Sequence, residues 1–169
     1  MPESSFELRT GWGCLAGTLS LPAGPGPWPA ALLIAGSGPT DRDGNTPLLP
    51  EPIDNLRRLA EALAARGVAS LRYDKRGLGG SSCPGLSEEA LRFDQLVDDA
   101  VVLARTLAGD PRFAAVLLAG HSEGALIATL AAQQAPVQAV VSIAGAGCRA
   151  SQLIRRQVEG ALPPEQASA

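Results

Sequence analysis

The 169-residue sequence contains a single histidine, His121. That excludes metal sites built from several histidines, and any mechanism within this chain that needs a histidine elsewhere. Its three cysteines, Cys14, Cys83 and Cys148, lie far apart with no C-x-x-C pair. This argues against a disulfide framework and against a thiolate zinc site. There is no basic excess: 14 basic residues face 17 acidic ones, for a formal net charge of −3. A broad nucleic-acid footprint is therefore not expected. The apolar runs are broken by glycine and proline and are too short to span a bilayer. The first ten residues carry Glu3, Glu7 and Arg9 and lack an apolar segment with a small-residue cleavage site. No export signal is read there, and a cytoplasmic location is expected.

What is present is a core-forming composition, 46% hydrophobic and 18% charged, in a length that suits one domain. Phe6 to Thr10 and Leu15 to Leu21 alternate apolar and polar around Gly11-Trp12-Gly13-Cys14, which predicts an antiparallel hairpin with one buried face. The pattern then changes. Ala30 to Ala35 is continuously apolar, as a strand buried on both faces must be, and Val68–Tyr73, Ala115–Ala119 and Val137–Ala144 read similarly. Helical spacing separates these runs. Ile53, Leu56, Leu59 and Leu63 form one stripe, closed by Gly67. Phe93, Leu96, Val97, Ala100, Leu103, Ala104 and Leu107 form a second, with Pro111 beyond it. Ala125 to Ala132 is apolar nearly all round, and Pro136 follows it. The order is a hairpin, three strand–helix units and a further strand, which predicts an α/β fold with a mostly parallel sheet. A polar, basic helix is expected over Ser151–Gly160. The chain then ends in Pro163-Pro164-Glu165 without another strand.

Gly120-His121-Ser122-Glu123-Gly124 matches G-x-S-x-G, with a buried strand leading in and an apolar helix leading out. So sharp a turn holds its central residue at strained backbone angles, and glycines two before and two after let neighbouring chains pass closely. It lifts the Ser122 hydroxyl above the sheet and leaves the Glu123 N–H free at a helix N-terminus, able to donate to an oxyanion.

With two further loops, this elbow resembles the α/β-hydrolase superfamily over nearly the whole chain. Ala35 to Asn45 (AGSGPTDRDGN) looks like the oxyanion loop of a bacterial serine esterase/peptidase-like branch. Tyr73 to Ser82 (YDKRGLGGSS) looks like the D-x-R-G-x-G-x-S loop after the fourth strand. The resemblance implies an α/β-hydrolase fold, here cut after about the sixth strand, with residues 1–148 as the core and 149–169 as the start of a cap. It implies Ser122 as nucleophile, and the N–H groups of Ser37 and Glu123 as the oxyanion hole. Gly120 and Gly124 are the elbow glycines. The expected reaction is hydrolysis of a carboxylic ester, thioester or amide in a small-molecule acyl substrate, through an acyl-serine. No metal and no cofactor are expected. Ala35 stands where many members carry histidine, and the loop lacks the HGGG form of many lipases.

In this superfamily the acid and the histidine follow the serine in sequence, at positions beyond residue 169. His121 adjoins Ser122 on the turn, so its side chain is expected to point elsewhere, and Glu123 is expected to make a loop or lid contact. The chain is thus read as an incomplete hydrolase, nearly inactive alone; the alternative is a non-catalytic truncated or pseudo-hydrolase that binds a ligand. If the sheet stops at Val137–Ala144, that strand is an open edge and self-association is expected. Three other motifs receive other readings. Asp41, Asp43 and Asn45 open like a calcium loop but have Thr46 and Pro52 at the glycine and glutamate positions, so Asx turns are expected. Asp74 and Arg76 are read as bracing the elbow. Gly145-Ala146-Gly147-Cys148-Arg149-Ala150 matches a dinucleotide fingerprint, with Glu165 near the expected acidic position, but no strand precedes that residue. No reactivity is assigned to Cys83 or Cys148.

Overall fold

The computed structural model describes residues 2–161. Met1 and residues 162–169 lie outside the described residues, and with them Pro163, Pro164, Glu165 and the last part of the expected cap segment. Six strands form one sheet: β1 (Glu3–Thr10), β2 (Gly13–Ser20), β3 (Trp28–Ile34), β4 (Ala69–Tyr73), β5 (Phe113–His121) and β6 (Ala139–Ile143). Their order across the sheet is β1-β2-β4-β3-β5-β6. β1 and β2 form an antiparallel hairpin closed at Thr10↔Gly13, so Gly11 and Trp12 make the turn. β2 also runs antiparallel to β4, and β4, β3, β5 and β6 are parallel. The expected α/β-hydrolase sheet, mostly parallel with an antiparallel N-terminal hairpin, is therefore present.

The continuous apolar runs have a simple cause, because helices cover both faces of the sheet. Ala31 and Leu33 of β3 point toward α1 (Asn55–Ala64), packing with Ala60 and Ala119. Ala30, Leu32 and Ile34 point the other way. They join Leu71, Tyr73, Val116 and Leu118 against α2 (Phe93–Ala108) and α3 (Glu123–Ala131). The second stripe is realised on α2, where Leu96, Val97, Ala100, Leu103, Ala104 and Leu107 are buried.

Three expectations need correction. Ile53 is not part of the first helix and is exposed, because Asn45 Oδ1 accepts the N–H groups of both Ile53 and Asp54, holding the chain outside the helix until Asn55. β4 is not purely apolar: Ser70 and Arg72 are fully buried in it. The Arg72 cation is compensated by Glu3 Oε1 at 3.1 Å and Asp43 Oδ1 at 3.0 Å. β6 is not buried on both faces, since its residues are exposed or nearly so, including Val140 and Val141. β5 is its only strand neighbour among the described residues. Beyond β6, α4 (Ala150–Ala161) covers the expected basic helix.

Candidate active site

β5 runs into α3 through Gly120-His121-Ser122-Glu123-Gly124. Ser122 caps α3 at φ 54° and ψ −115°, a backbone region that costs a non-glycine residue about 1–3 kcal/mol. The surroundings hold it there. Its N–H donates to Ile143 O at 2.9 Å, tying the turn to the end of β6. A Cβ at Gly120 would lie 2.0 Å from Gly124 O, and one at Gly124 would lie 2.3 Å from Ile34 O. Only two glycines let α3 pass this close to β5 and β3.

The loop after β3 lies directly over the turn. A Cβ on Gly36 would come within 3.1 Å of His121 Nδ1 and 3.5 Å of Ser122 Cβ. Ser122, His121, Gly36, Ser37 and Thr40 line a cavity of about 220 Å³. Ser37 and Ser122, 85 residues apart in sequence, thus share one wall. Glu123 faces a second cavity of about 470 Å³ with Gly38, Lys75, Leu78, Leu86 and Leu96. Glu123 is the first residue of α3, so its N–H precedes helical pairing, and among the described residues neither it nor the Ser37 N–H meets an acceptor.

His121 lines the same cavity as Ser122, with its Nδ1 packed against Gly36. Among the described residues no hydrogen bond joins it to Ser122. The Glu123 carboxylate reaches Lys75 Nζ at 3.3 Å, a loop contact.

Asp74 and Arg76 of the loop after β4, expected to brace the elbow, bond other elements instead, and it is Lys75 between them that reaches Glu123 of the turn. Asp74 accepts from Arg42 N (2.9 Å), Arg42 Nη2 (2.6 Å) and Gly80 N (2.8 Å), so it clamps the loop after β3 to its own loop. Burial pushes its carboxyl up, but these hydrogen bonds outweigh burial and hold it below the usual carboxylate value. Arg76 makes a bidentate pair with Asp99 of α2, at 3.0 and 2.7 Å, under the Trp12 ring at 3.9 Å. Ser81 Oγ donates to Asp74 O and accepts from Ala16 N. Asp41 Oδ1 accepts the N–H groups of Asp43 and Asn45, which is the expected Asx turn. Among the described residues no cluster of three or more histidine, cysteine or acidic side chains could hold a metal ion, and no helix is long and apolar enough to cross a membrane. The three cysteines are unpaired. The Gly145–Arg149 stretch is a loop between β6 and α4, with no strand after that helix among the described residues.

Sequence reasoning missed Arg42 and Lys75. Lys75 is buried and donates to Gly36 O at 2.6 Å. Burial lowers its ammonium pKa, and the charge of Glu123 opposes that shift. The signal available was position alone: Lys75 lies between Asp74 and Arg76 in the loop that resembles D-x-R-G-x-G-x-S.

The family model described as "Serine aminopeptidase, S33" matches residues 50–162. Esterase EstD from Thermotoga maritima is 32% identical over 144 residues, which is 85% of this chain and 33% of that protein. Among solved structures, the α/β hydrolase GrgF from Penicillium sp. sh18 superposes with a TM-score of 0.72 at 21% identity, covering 94% of this chain and 51% of that one. Dienelactone hydrolase from Anabaena variabilis gives a TM-score of 0.63 at 28% identity, covering 85% and 63%. The chain thus spans about a third of the curated relative and about half to two-thirds of these structures.

Proposed function

Since this chain belongs to the serine aminopeptidase S33 family of the α/β-hydrolase superfamily, we propose that Ser122 is the nucleophile of a hydrolase acting on a carboxylic ester, thioester or amide. The observation that carries this reading is the strained, glycine-flanked backbone of Ser122, in a cavity wall shared with Ser37. Ser122 Oγ attacks the acyl carbon, its proton passes to a base, and the carbonyl electrons move onto oxygen. The N–H groups of Ser37 and Glu123 hold that oxyanion. Each such donor is worth about 3–4 kcal/mol in a transition state. Collapse expels the alcohol, thiol or amine and leaves an acyl-serine, which water then hydrolyses. The esterase name of the Thermotoga relative favours the ester substrate. No metal or organic cofactor enters these steps.

The test uses p-nitrophenyl acetate. Its leaving group departs readily, so acylation depends less on a base than deacylation does, and the acetyl group should accumulate on Ser122. Mass spectrometry of peptides from the treated chain should find acetyl on Ser122, and none at that peptide in Ser122→Ala. Acetylation confined to other residues would remove Ser122 from the role.

The reading extends to assembly. Among the described residues β6 presents an open edge with Val140 and Val141 exposed, and such edges recruit other chains. Light scattering after size exclusion is expected to show a dimer or larger species. Val141→Lys, which charges the edge, should restore the monomer. A monomer without the substitution would refute this.

A further inference from the structure

Lys75 lies in the loop after β4, two residues beyond Tyr73 and 5% exposed, where an ammonium is costly to bury. It is held by two acceptors: Gly36 O at 2.6 Å and Glu123 Oε1 at 3.3 Å. The acceptors belong to the two loops that supply the proposed oxyanion donors. Gly36 C=O and Ser37 N–H are opposite ends of one peptide unit, and that unit is trans. In a planar trans peptide the two bonds point in opposite directions. Fixing the carbonyl on Lys75 therefore fixes the N–H, turning it away from the lysine. Glu123 is the residue whose own N–H is the second donor. One cation thus grips the peptide behind the first donor and the side chain of the residue that carries the second.

We infer that Lys75 is the positioning residue of the oxyanion hole, setting the Gly36–Ser37 peptide so that its N–H faces the reacting carbonyl and tying that peptide to the first turn of α3. The inference rests on the acyl-serine reading of Ser122. Three features make lysine suited to this place. Its long stem reaches from the loop after β4 to both acceptors, its compact head fits between the Gly36 loop and the start of α3, and it offers three donors for two acceptors. Gly36 has no side chain to pin its peptide, and its buried carbonyl accepts from Lys75. Without the ammonium that buried carbonyl loses its partner, and the peptide can rotate. A rotated peptide presents carbonyl oxygen where the N–H stood, and negative charge developing on the substrate then meets repulsion in place of a donor. Simple neutralisation of Glu123 does not account for the arrangement, because the shorter bond goes to Gly36.

The test compares the wild-type chain with Lys75→Met, which keeps the stem and removes the donors. Two quantities are read: the carbonyl ¹³C shift of Gly36, and the rate of Ser122 acetylation by p-nitrophenyl acetate across concentrations. The expected result is an upfield move of the Gly36 signal. The acetylation rate at saturation should fall by roughly 30- to 100-fold, below the ~10²–10³ seen when an oxyanion donor is deleted outright, with the half-saturating concentration little changed. An unmoved Gly36 signal would overturn the inference, as would unchanged acetylation at saturation or a loss confined to half-saturation. Should Lys75→Met fail to fold, Lys75→Gln carries both measurements. A wild-type chain that shows no acetylation at Ser122 defeats the acyl-serine reading instead, and the Gly36 signal still decides whether Lys75 holds the peptide.

Discussion

Steady-state turnover of p-nitrophenyl acetate by the 169-residue chain is expected to be at least about 10⁴-fold slower than that of a serine hydrolase with its histidine in place, because losing a triad partner costs about that much. The reason lies in proton inventory. A serine hydroxyl remains protonated at pH 7 until a base removes the proton. His121 is the sole histidine, it adjoins Ser122 on the turn, and no hydrogen bond joins the two among the described residues. Glu123 is engaged by Lys75. Asp74 and Asp99 are consumed by Arg42 and Arg76. On the proposed reading, what remains is oxyanion stabilisation and binding, which alone leave a residual acceleration of roughly 10³–10⁴ over water. The rate should be read by p-nitrophenolate release, with Ser122→Ala as the blank. Turnover at ordinary enzyme rates, abolished in that variant, would mean that a base resides within these residues. His121 would then be the first to replace, since it lines the cavity of the serine.

Gly124→Ala is expected to remove more than about 4 kcal/mol of stability, the exceptional end of single-residue effects. Its Cβ would lie 2.3 Å from Ile34 O and 2.7 Å from Ala35 O. Both obstacles are backbone, so no side chain can swing aside. Relief requires α3 to withdraw from β3, which uncovers Ile127 and Ala128, two fully buried members of the main core. Domains of this kind hold about 5–15 kcal/mol in total, so the variant should be unfolded or close to it. Gly147→Ala is the control: a Cβ there meets nothing within 4 Å, and a change within about 0.5 kcal/mol is expected. Urea unfolding followed by circular dichroism measures both. A Gly124→Ala midpoint matching that of Gly147→Ala would show that the close crossing of α3 over β3 does not constrain this position.

Most of the fold was legible because burial on both faces leaves a local trace. Ala30 to Ile34 had to be apolar throughout, since its odd and even positions enter different cores. The α2 stripe was equally plain, and so was the elbow, whose glycines answer to a crossing that any strand–turn–helix of this sharpness imposes. Ile53 misled because its spacing from Leu56 was helical while its backbone was claimed by Asn45, eight residues earlier in sequence. β6 misled for the opposite reason: its apolar residues match those of a buried strand, yet no second neighbour covers them among the described residues.

The sequence by itself determined the order of strands and helices, the turn that presents Ser122, and the absence of a second histidine. Periodicity, glycine placement and composition are all local properties, and each acts through neighbours a few residues away. The tertiary structure alone decided which charges meet. Arg42 finds Asp74 32 residues on, Lys75 finds Gly36 39 residues back, and Arg72 finds Glu3 69 residues back. A buried cation needs a partner, but nothing in its own neighbourhood says which loop will supply one. For Lys75 that choice depends on the parallel crossovers that bring the C-terminal ends of β3, β4 and β5 to one end of the sheet, where Lys75 meets Gly36 and Glu123 and where Ser37 and Ser122 line one cavity.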